Sequence, residues 1–485
     1  MPNPIAYLAL MLWPLVSVLL FKRLPPERAV IWTILGAYLV LPPIAEFDLP
    51  LVPDMDKFSI SSICAFACAV FILKDNVRIW PRSFLAAVLV LGYILVAIPT
   101  VLTNREPIVF EIMAQAAPIR FETGSLPGLR LIDMASVLSN QVIVLLPFLL
   151  GRFYLGSDKG LRELALAFAI GGLTYSLPAL LEIRFSPQLN TWIYGFFQHS
   201  FAQMMRDGGF RPIVFLPHAL WLALFMVTAL VAAVALARNT QGQEQRRWMV
   251  AVVYLLVVLY LCKSLASQLY ALGLVPVVFL APQRWQALLA VVLAMIAISW
   301  PMLRNFGVIP LDAILAQAEA ISPDRAHSLG YRFDNENALL QRAHEKDLFG
   351  WGGWGRNLVR HSETGEILSI PDGRWILTFG TFGWVGYLCE MGLLALPMLF
   401  LFTRMHKAGR SLSPFAAPLA LILGVTMVDM LLNDTLVPIM WLLAGAVLGY
   451  AERLRLGPEE APRPLFADGP VIGRGPRKPG RRTVL

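Results

Sequence analysis

Charge is scarce in this chain. Only 15% of its 485 residues are Asp, Glu, Lys or Arg, against 57% that are hydrophobic. A soluble domain carries about a quarter charged residues, so this composition excludes a water-soluble globular protein. Cysteine is scarce as well. Cys64, Cys68, Cys262 and Cys389 all lie in or beside apolar runs, where they read as small buried hydrophobes rather than disulfide partners or metal ligands. There is no P-loop, no Gly-x-Ser-x-Gly, no His-Glu-x-x-His and no internal repeat. Those absences remove the sequence signatures of P-loop nucleotide hydrolases, serine hydrolases and zinc peptidases. No metal-ligand cluster stands out, and the reading calls for no metal and no cofactor.

What is present is apolar sequence. Mean hydropathy is +0.64, and runs long enough to cross a bilayer recur from end to end, which predicts a multi-pass helical membrane protein. The twenty-residue criterion gives roughly thirteen spans. Their centres are near Leu10, Leu35, Ala67, Val90, Val142, Ile170, Phe225, Leu255, Leu272, Val291, Leu388, Leu421 and Leu443. The first run lacks a basic leader and a small-residue cleavage site, so it reads as a retained helix rather than a signal peptide.

The formal net charge of +8 is a topology signal here, and no nucleic-acid partner is expected. Lys22, Arg23 and Arg28 follow the first span, and Lys74, Arg78 and Arg82 the third. Arg152, Lys159 and Arg162 follow the fifth, Arg238, Arg246 and Arg247 the seventh, and Arg404, Lys407 and Arg410 the eleventh. Every second loop is therefore basic and expected on the cytoplasmic side, with the N-terminus outside and the C-terminus inside. The other loops would face the periplasm of a bacterium. One holds Glu46, Asp48, Asp54 and Asp56; others run from about Asn104 to Asp133 and from about Arg184 to Arg211; the longest spans 304–375. Loops of that length in a compact protein usually carry function. The expected organisation is a membrane domain over 1–456. A tail over 457–485, with Arg477, Lys478, Arg481 and Arg482, should be disordered and cytoplasmic, with a weak attraction to anionic lipid.

Within the longest loop, Tyr331 to Phe349 reads as a helix. Ala338, Leu339, Leu340, Ala343 and Leu348 give an apolar face, Asp334 a candidate cap, and Gly350 a stop. Trp351 and Trp354 beside it suit a membrane interface, so the expectation is a short amphipathic helix at the lipid surface. An i,i+4 pair between Arg332 and Glu336 is the plain alternative to a functional Arg332.

These residues carry a resemblance. Arg332 is followed about eighteen residues later by "LFGWG", with Gly350 and Gly352 forming Gly-x-Gly. "DGRWILTFGTFGWVG" then supplies a helix start and a Gly-x-x-Gly turn at Gly383 and Gly386. "RDGGFRPIVFLPHALWLALF" supplies Arg206 and Arg211 ahead of a span, with Pro217 and His218 after Arg211. The pattern is similar to that of the O-antigen ligase and Wzy-type polymerase family. It departs from the family at Asp372, which stands where the family has a His.

The resemblance implies an all-α, GT-C-like polytopic membrane glycosyltransferase. It would act on a glycan linked to undecaprenyl pyrophosphate, and a chain-length regulator or a flippase is compatible as a neighbour. Arg211 and Arg332 would neutralise the pyrophosphate and Asp372 would act as base, Arg being the side chain best suited to oxyanions. Arg206, Arg342, Lys263 and Asn433 are candidate substrate-binding residues. The plain readings stand beside these. Asp372 can be a turn and helix cap. Arg206 can pair with Asp207, Lys263 can snorkel, and Asn433 to Thr435 can be a simple turn. His361 is a second candidate base, and Asp429 and His218 are polar groups at span ends. Polymerase is preferred to ligase because of Asp372. A flippase or other transporter is the rival outside glycosyl transfer, but it would be expected to show paired repeats.

Overall fold

A computed structural model describes residues 1–48, 53–74, 80–113, 121–206, 208–321, 323–408 and 412–457. The tail predicted to be disordered, Arg78, Asp207 and Arg410 lie outside the described residues. The chain is mostly helical. In order it forms α1 (Pro4–Arg23), α2 (Pro26–Val40), α3 (Lys57–Phe71), α4 (Phe84–Leu95) and α5 (Ala97–Leu102). After the hairpin β1 (Ile108–Met113)–β2 (Phe121–Leu126) come α6 (Leu131–Leu150), α7 (Asp158–Phe185) and α8 (Leu189–Tyr194). A second hairpin, β3 (Met205–Arg206)–β4 (Gly209–Phe210), precedes α9 (Ala219–Arg238), α10 (Gly242–Leu261), α11 (Leu265–Leu280) and α12 (Gln283–Asn305). The remainder is α13 (Leu311–Ile321), α14 (Pro323–His344), α15 (Arg374–Ala408), α16 (Ala416–Asp429) and α17 (Pro438–Leu456).

Each of the thirteen span centres read from the sequence falls inside a helix. Among the described residues, seven helices are long and apolar enough to cross a membrane, while Lys57–Phe71, Leu265–Leu280 and Ala416–Asp429 are apolar but shorter. The protein is thus a membrane-embedded helical protein. The all-α expectation holds in its coarse form, and the loops between spans add two small antiparallel hairpins. The first pairs Ile108 with Leu126 through Met113 with Phe121, within the stretch expected to be a loop.

The apolar periodicity explains the layering. α9 is Ala, Leu and Val on every side, and such a helix belongs in the middle of a bundle; nearly all of it is buried. The outer helices turn apolar side chains outward instead. Val250, Val253 and Tyr260 on α10, and Leu272 and Leu280 on α11, are all exposed, as suits a lipid-facing surface. α17 meets α6 by small residues, since a Cβ at Gly445 would fall 1.9 Å from the carbonyl of Phe148. Only small side chains allow backbones this close.

The two ends of the bundle differ chemically. At one end Arg28 grips Glu163 (2.7 Å), Lys159 meets Glu27 (2.8 Å) and Arg152 pairs with a buried Glu452 (3.0 Å). Arg82 and Arg404 bond main-chain carbonyls near the end of α17. This is the end formed by the basic loops. The opposite end collects Glu46, Asp54, both hairpins, α13, α14 and the turn between α16 and α17.

Candidate functional site

The segment from Arg211 to His218 enters α9 at the less basic end. Its two prolines keep it out of a helix, so its backbone groups need partners from elsewhere. Glu182, in the last turn of α7, accepts the N–H groups of Ile213 and Val214 (2.8 Å each) and of Leu189 (3.1 Å). The Tyr175 hydroxyl accepts from the Phe215 N–H (3.0 Å), and Gln198 donates to the carbonyls of Val214 and Leu216. Lys57 is wholly buried and gives its three protons to the carbonyls of Tyr38, Leu41 and Phe215. A segment held on four sides positions Arg211, which is 4% exposed and whose N–H donates to the Met204 carbonyl (2.8 Å).

His218 caps α9, its Nδ1 accepting from the Leu220 N–H (3.0 Å). That bond places the ring proton on Nε2, which faces the Gln203 side-chain oxygen at 3.4 Å. The ring packs edge-on against His199, centroids 4.4 Å apart. Burial first, then the nearby charges of His199, Arg211 and Arg332, drive its pKa down to about 3. His218 is therefore a neutral donor. The same shift shows that Arg211 and Arg332 bear on one imidazole although 121 positions separate them in the chain.

Arg332 comes from α14. This helix starts eight residues earlier than the sequence suggested, with Pro323 in the first-turn position that proline favours. Asp334 is thus inside the helix and not its cap. The helix ends at His344, and Leu348, expected on the apolar face, is exposed. Phe333, Glu336, Leu339, Leu340 and Ala343 form the buried face. Glu336 pairs not with Arg332 but with Arg304 at the end of α12 (3.4 Å), and Trp375 donates to it (3.4 Å). Burial raises the Glu336 carboxyl to about 7. Arg332 points the other way and meets Asp372, Nε to Oδ2 3.3 Å, both groups partly exposed. The guanidinium makes no hydrogen bond to any other described residue.

Asp372 is carried by the chain entering α15. Asn335 accepts the Ile370 N–H (2.8 Å), and the Arg374 N–H reaches the Met430 carbonyl (2.9 Å) at the end of α16. Arg374 itself clamps Glu390 (2.6 Å) and meets Asp434 (3.4 Å). One residue to either side of Asp434, Asn433 and Thr435 attend to Asp429. The Thr435 hydroxyl bonds its carboxylate (2.9 Å), and the Asn433 amide its carbonyl (3.4 Å). The charge of Arg332 also reaches Asp429.

The two glycine motifs interlock. Trp351 and Gly352 donate to the carbonyls of Gly380 and Thr381 (2.9 Å each), while Trp384 donates to Asp347 (2.7 Å) and Val385 to Leu348 (3.3 Å). Gly383 kinks α15 with φ 64° and ψ −164°, a conformation open essentially only to glycine. The Arg-to-Gly spacing thus docks the end of α14 onto the kink of α15.

The structure therefore pairs Arg332 with Asp372 and sets the charges of Arg211 and Arg332 both within reach of His218, with Asn433 at the turn after α16. It does not bring in Arg342, which stacks on Trp351 (3.4 Å to the ring centre) and pairs with Glu345 (2.6 Å). Ten residues further along α14, it lies about 15 Å along the axis from Arg332. Lys263, between α10 and α11, donates to the main-chain carbonyl of Arg206 (2.8 Å) and so braces the hairpin leading to Arg211. His361 caps a local turn through the N–H groups of Glu363 and Thr364 and is exposed. Sequence reasoning missed Arg304, His199, Glu390 and the supporting pair Lys57 and Glu182. Charged groups inside otherwise apolar runs were the available signal for Lys57, Glu182 and Glu390. Compared with known proteins, the chain matches no family model and shows no significant similarity to a curated protein.

Proposed function

We propose that this chain is a polytopic membrane glycosyltransferase of about thirteen spans, similar in pattern to the O-antigen ligase and polymerase family. It would polymerise glycan repeat units carried on undecaprenyl pyrophosphate into surface or exported polysaccharide. The bundle end holding the site would face the periplasm from a bacterial inner membrane. The observation that supports the reading is the pairing of Arg332 with Asp372, from segments forty positions apart, at the less basic end of an apolar bundle, with the charge of Arg211 acting on the same His218 as that of Arg332.

The chemistry follows from these groups. An acceptor hydroxyl attacks the anomeric carbon of the donor glycan, and a new C–O bond forms. The bond from that carbon to the pyrophosphate breaks, and its electron pair leaves with the phosphate. Negative charge develops there, and fixed positive donors aimed at it lower the barrier. Arg211 is held by a bonded segment and Arg332 by α14, so neither has to be ordered at the moment of reaction. Asp372 takes the proton of the attacking hydroxyl. Its pairing with Arg332 keeps it aimed, and a pyrophosphate entering beside Arg332 would draw the guanidinium away from it. Neutral His218 adds a donor to the same neighbourhood.

Purified protein given a lipid-pyrophosphate-linked repeat unit tests this. Arg211→Ala and Arg332→Ala should each lower turnover by about a hundredfold or more. Arg332→Lys should not restore it, because a point charge does not replace the planar fork. Wild-type turnover in all three variants would overturn the proposal.

A further inference from the structure

Across the segment that carries Asp372 lies a cavity of about 740 Å³, within the range of small-ligand sites. Arg374, two residues past Asp372, and Asp434, next to Asn433, form part of its wall. The cavity and the arginine cluster thus share one partition.

Its lining is polar and strongly acidic. Among the described lining residues Glu46, Asp48, Asp54, Asp56, Asp133 and Asp434 face two cations, Arg130 and Arg374. Arg374 is already engaged by Glu390 and Asp434, and Arg130 by Asp133 (3.6 Å). Asp56 caps α3, accepting the N–H groups of Phe58 and Ser59, while Glu46, Asp48 and Asp54 are left without a cation among the described lining residues and crowd one another. Burial together with Asp54, Asp56 and Asp48 raises the Glu46 carboxyl above its usual range.

Two further features point to a ligand. Gln141, on α6, lines the cavity, is 2% exposed, and its side-chain nitrogen has no hydrogen-bond partner among the described residues. An orphaned buried amide is costly unless something completes it. Trp354 also lines the cavity, 58% exposed and held at φ 56°. Bulky residues rarely adopt that conformation, and such strain gathers at ligand sites.

We infer that this cavity receives those sugars of the acceptor glycan that lie behind the one presenting its hydroxyl to Asp372, and admits sugars that are neutral or amino-substituted while excluding acidic ones. Sugar hydroxyls are donors for carboxylates, a ring oxygen or an acetamido carbonyl completes Gln141, and the face of a sugar ring packs on Trp354. An acidic sugar would meet uncompensated carboxylates in a partly enclosed space. The inference rests on the glycosyl-transfer reading, and it deepens that reading by assigning the charge class of the acceptor.

The test is binding without lipid or pyrophosphate. Purified protein is titrated with a neutral glucose oligosaccharide, a glucosamine oligosaccharide and a galacturonate oligosaccharide, each followed by saturation-transfer NMR. The neutral and amino oligosaccharides should bind, and Gln141→Leu or Trp354→Ala should weaken them by about tenfold. The galacturonate should bind only once Glu46→Gln and Asp54→Asn are combined. Galacturonate binding to the wild type as tightly as the neutral sugar would overturn the inference. So would binding of the neutral sugar unchanged by both Gln141→Leu and Trp354→Ala, or no glycan binding by a protein that still transfers. Glycan binding with the expected selectivity but no transfer would uphold the cavity and count against the enzymatic reading alone.

Discussion

Replacing Gly383 by alanine tests the interlock that places Arg332. At φ 64° and ψ −164° any Cβ is strained, at a cost of about 1–3 kcal/mol. That Cβ would also lie 2.3 Å from the carbonyl carbon of Leu348 and 2.5 Å from the Asp347 oxygen. Both contacts are with backbone, so the turn after α14 must move away. The movement breaks the bonds from Trp384 to Asp347 and from Val385 to Leu348 (2.7 and 3.3 Å), each about 1 kcal/mol. The expected loss is about 3–5 kcal/mol, borne locally. The assay is the thermal midpoint of the detergent-solubilised protein, with trypsin cleavage after Lys346 and Arg356 as a local probe. Gly383→Ala should lower the midpoint and expose both sites. Gly353→Ala has no atom within 4 Å of the new Cβ and should change neither. A Gly383→Ala protein with wild-type midpoint and protection would refute the docking argument.

Three further outcomes follow from buried charge. Burial raises Glu336 from 4.5 to about 7, so the fold favours its protonated form. The stability that Glu336 contributes should be present below about pH 4.5 and fall by about 3 kcal/mol as pH climbs through about 7; Glu336→Gln should flatten the slope of stability over that window, and an unchanged slope in unfolding midpoints would contradict it. Arg374→Met strands Glu390, which is 1% exposed on its side chain, and should cost about 3–5 kcal/mol in unfolding measurements, most of it recovered when Glu390→Met is added. Glu182→Ala removes the acceptor of three N–H groups in and beside the Arg211 segment. Turnover should fall at least about tenfold in a protein that still inserts, with Glu182→Gln intermediate; equal rates for all three proteins would refute the positioning role.

The helices were legible because bilayer crossing imposes long apolar runs, and each predicted centre lies in a helix. Arg332 and Asp372 were legible as separate candidates from Arg-to-Gly spacing, but their contact was not. Nothing local links residues forty positions apart. The i,i+4 rule pointed Arg332 at Glu336, and tertiary packing gave that carboxylate to Arg304 instead. The helix start was misjudged because "HSLGYRFDNEN" is too polar to show periodicity, and α14 is fixed by its few buried residues against α15. Arg342 looked equivalent to Arg332 by residue type, yet ten residues of helix carry it to a tryptophan stack. Hairpin β1–β2 had no alternation strong enough to separate it from a loop.

The most direct measurement is the length of polysaccharide in cells producing Arg332→Ala and Asp372→Ala proteins that reach the membrane. The account predicts loss of long chains while single repeat units are still made and attached. Long chains of normal length, whether attached or left on the carrier lipid, would contradict it.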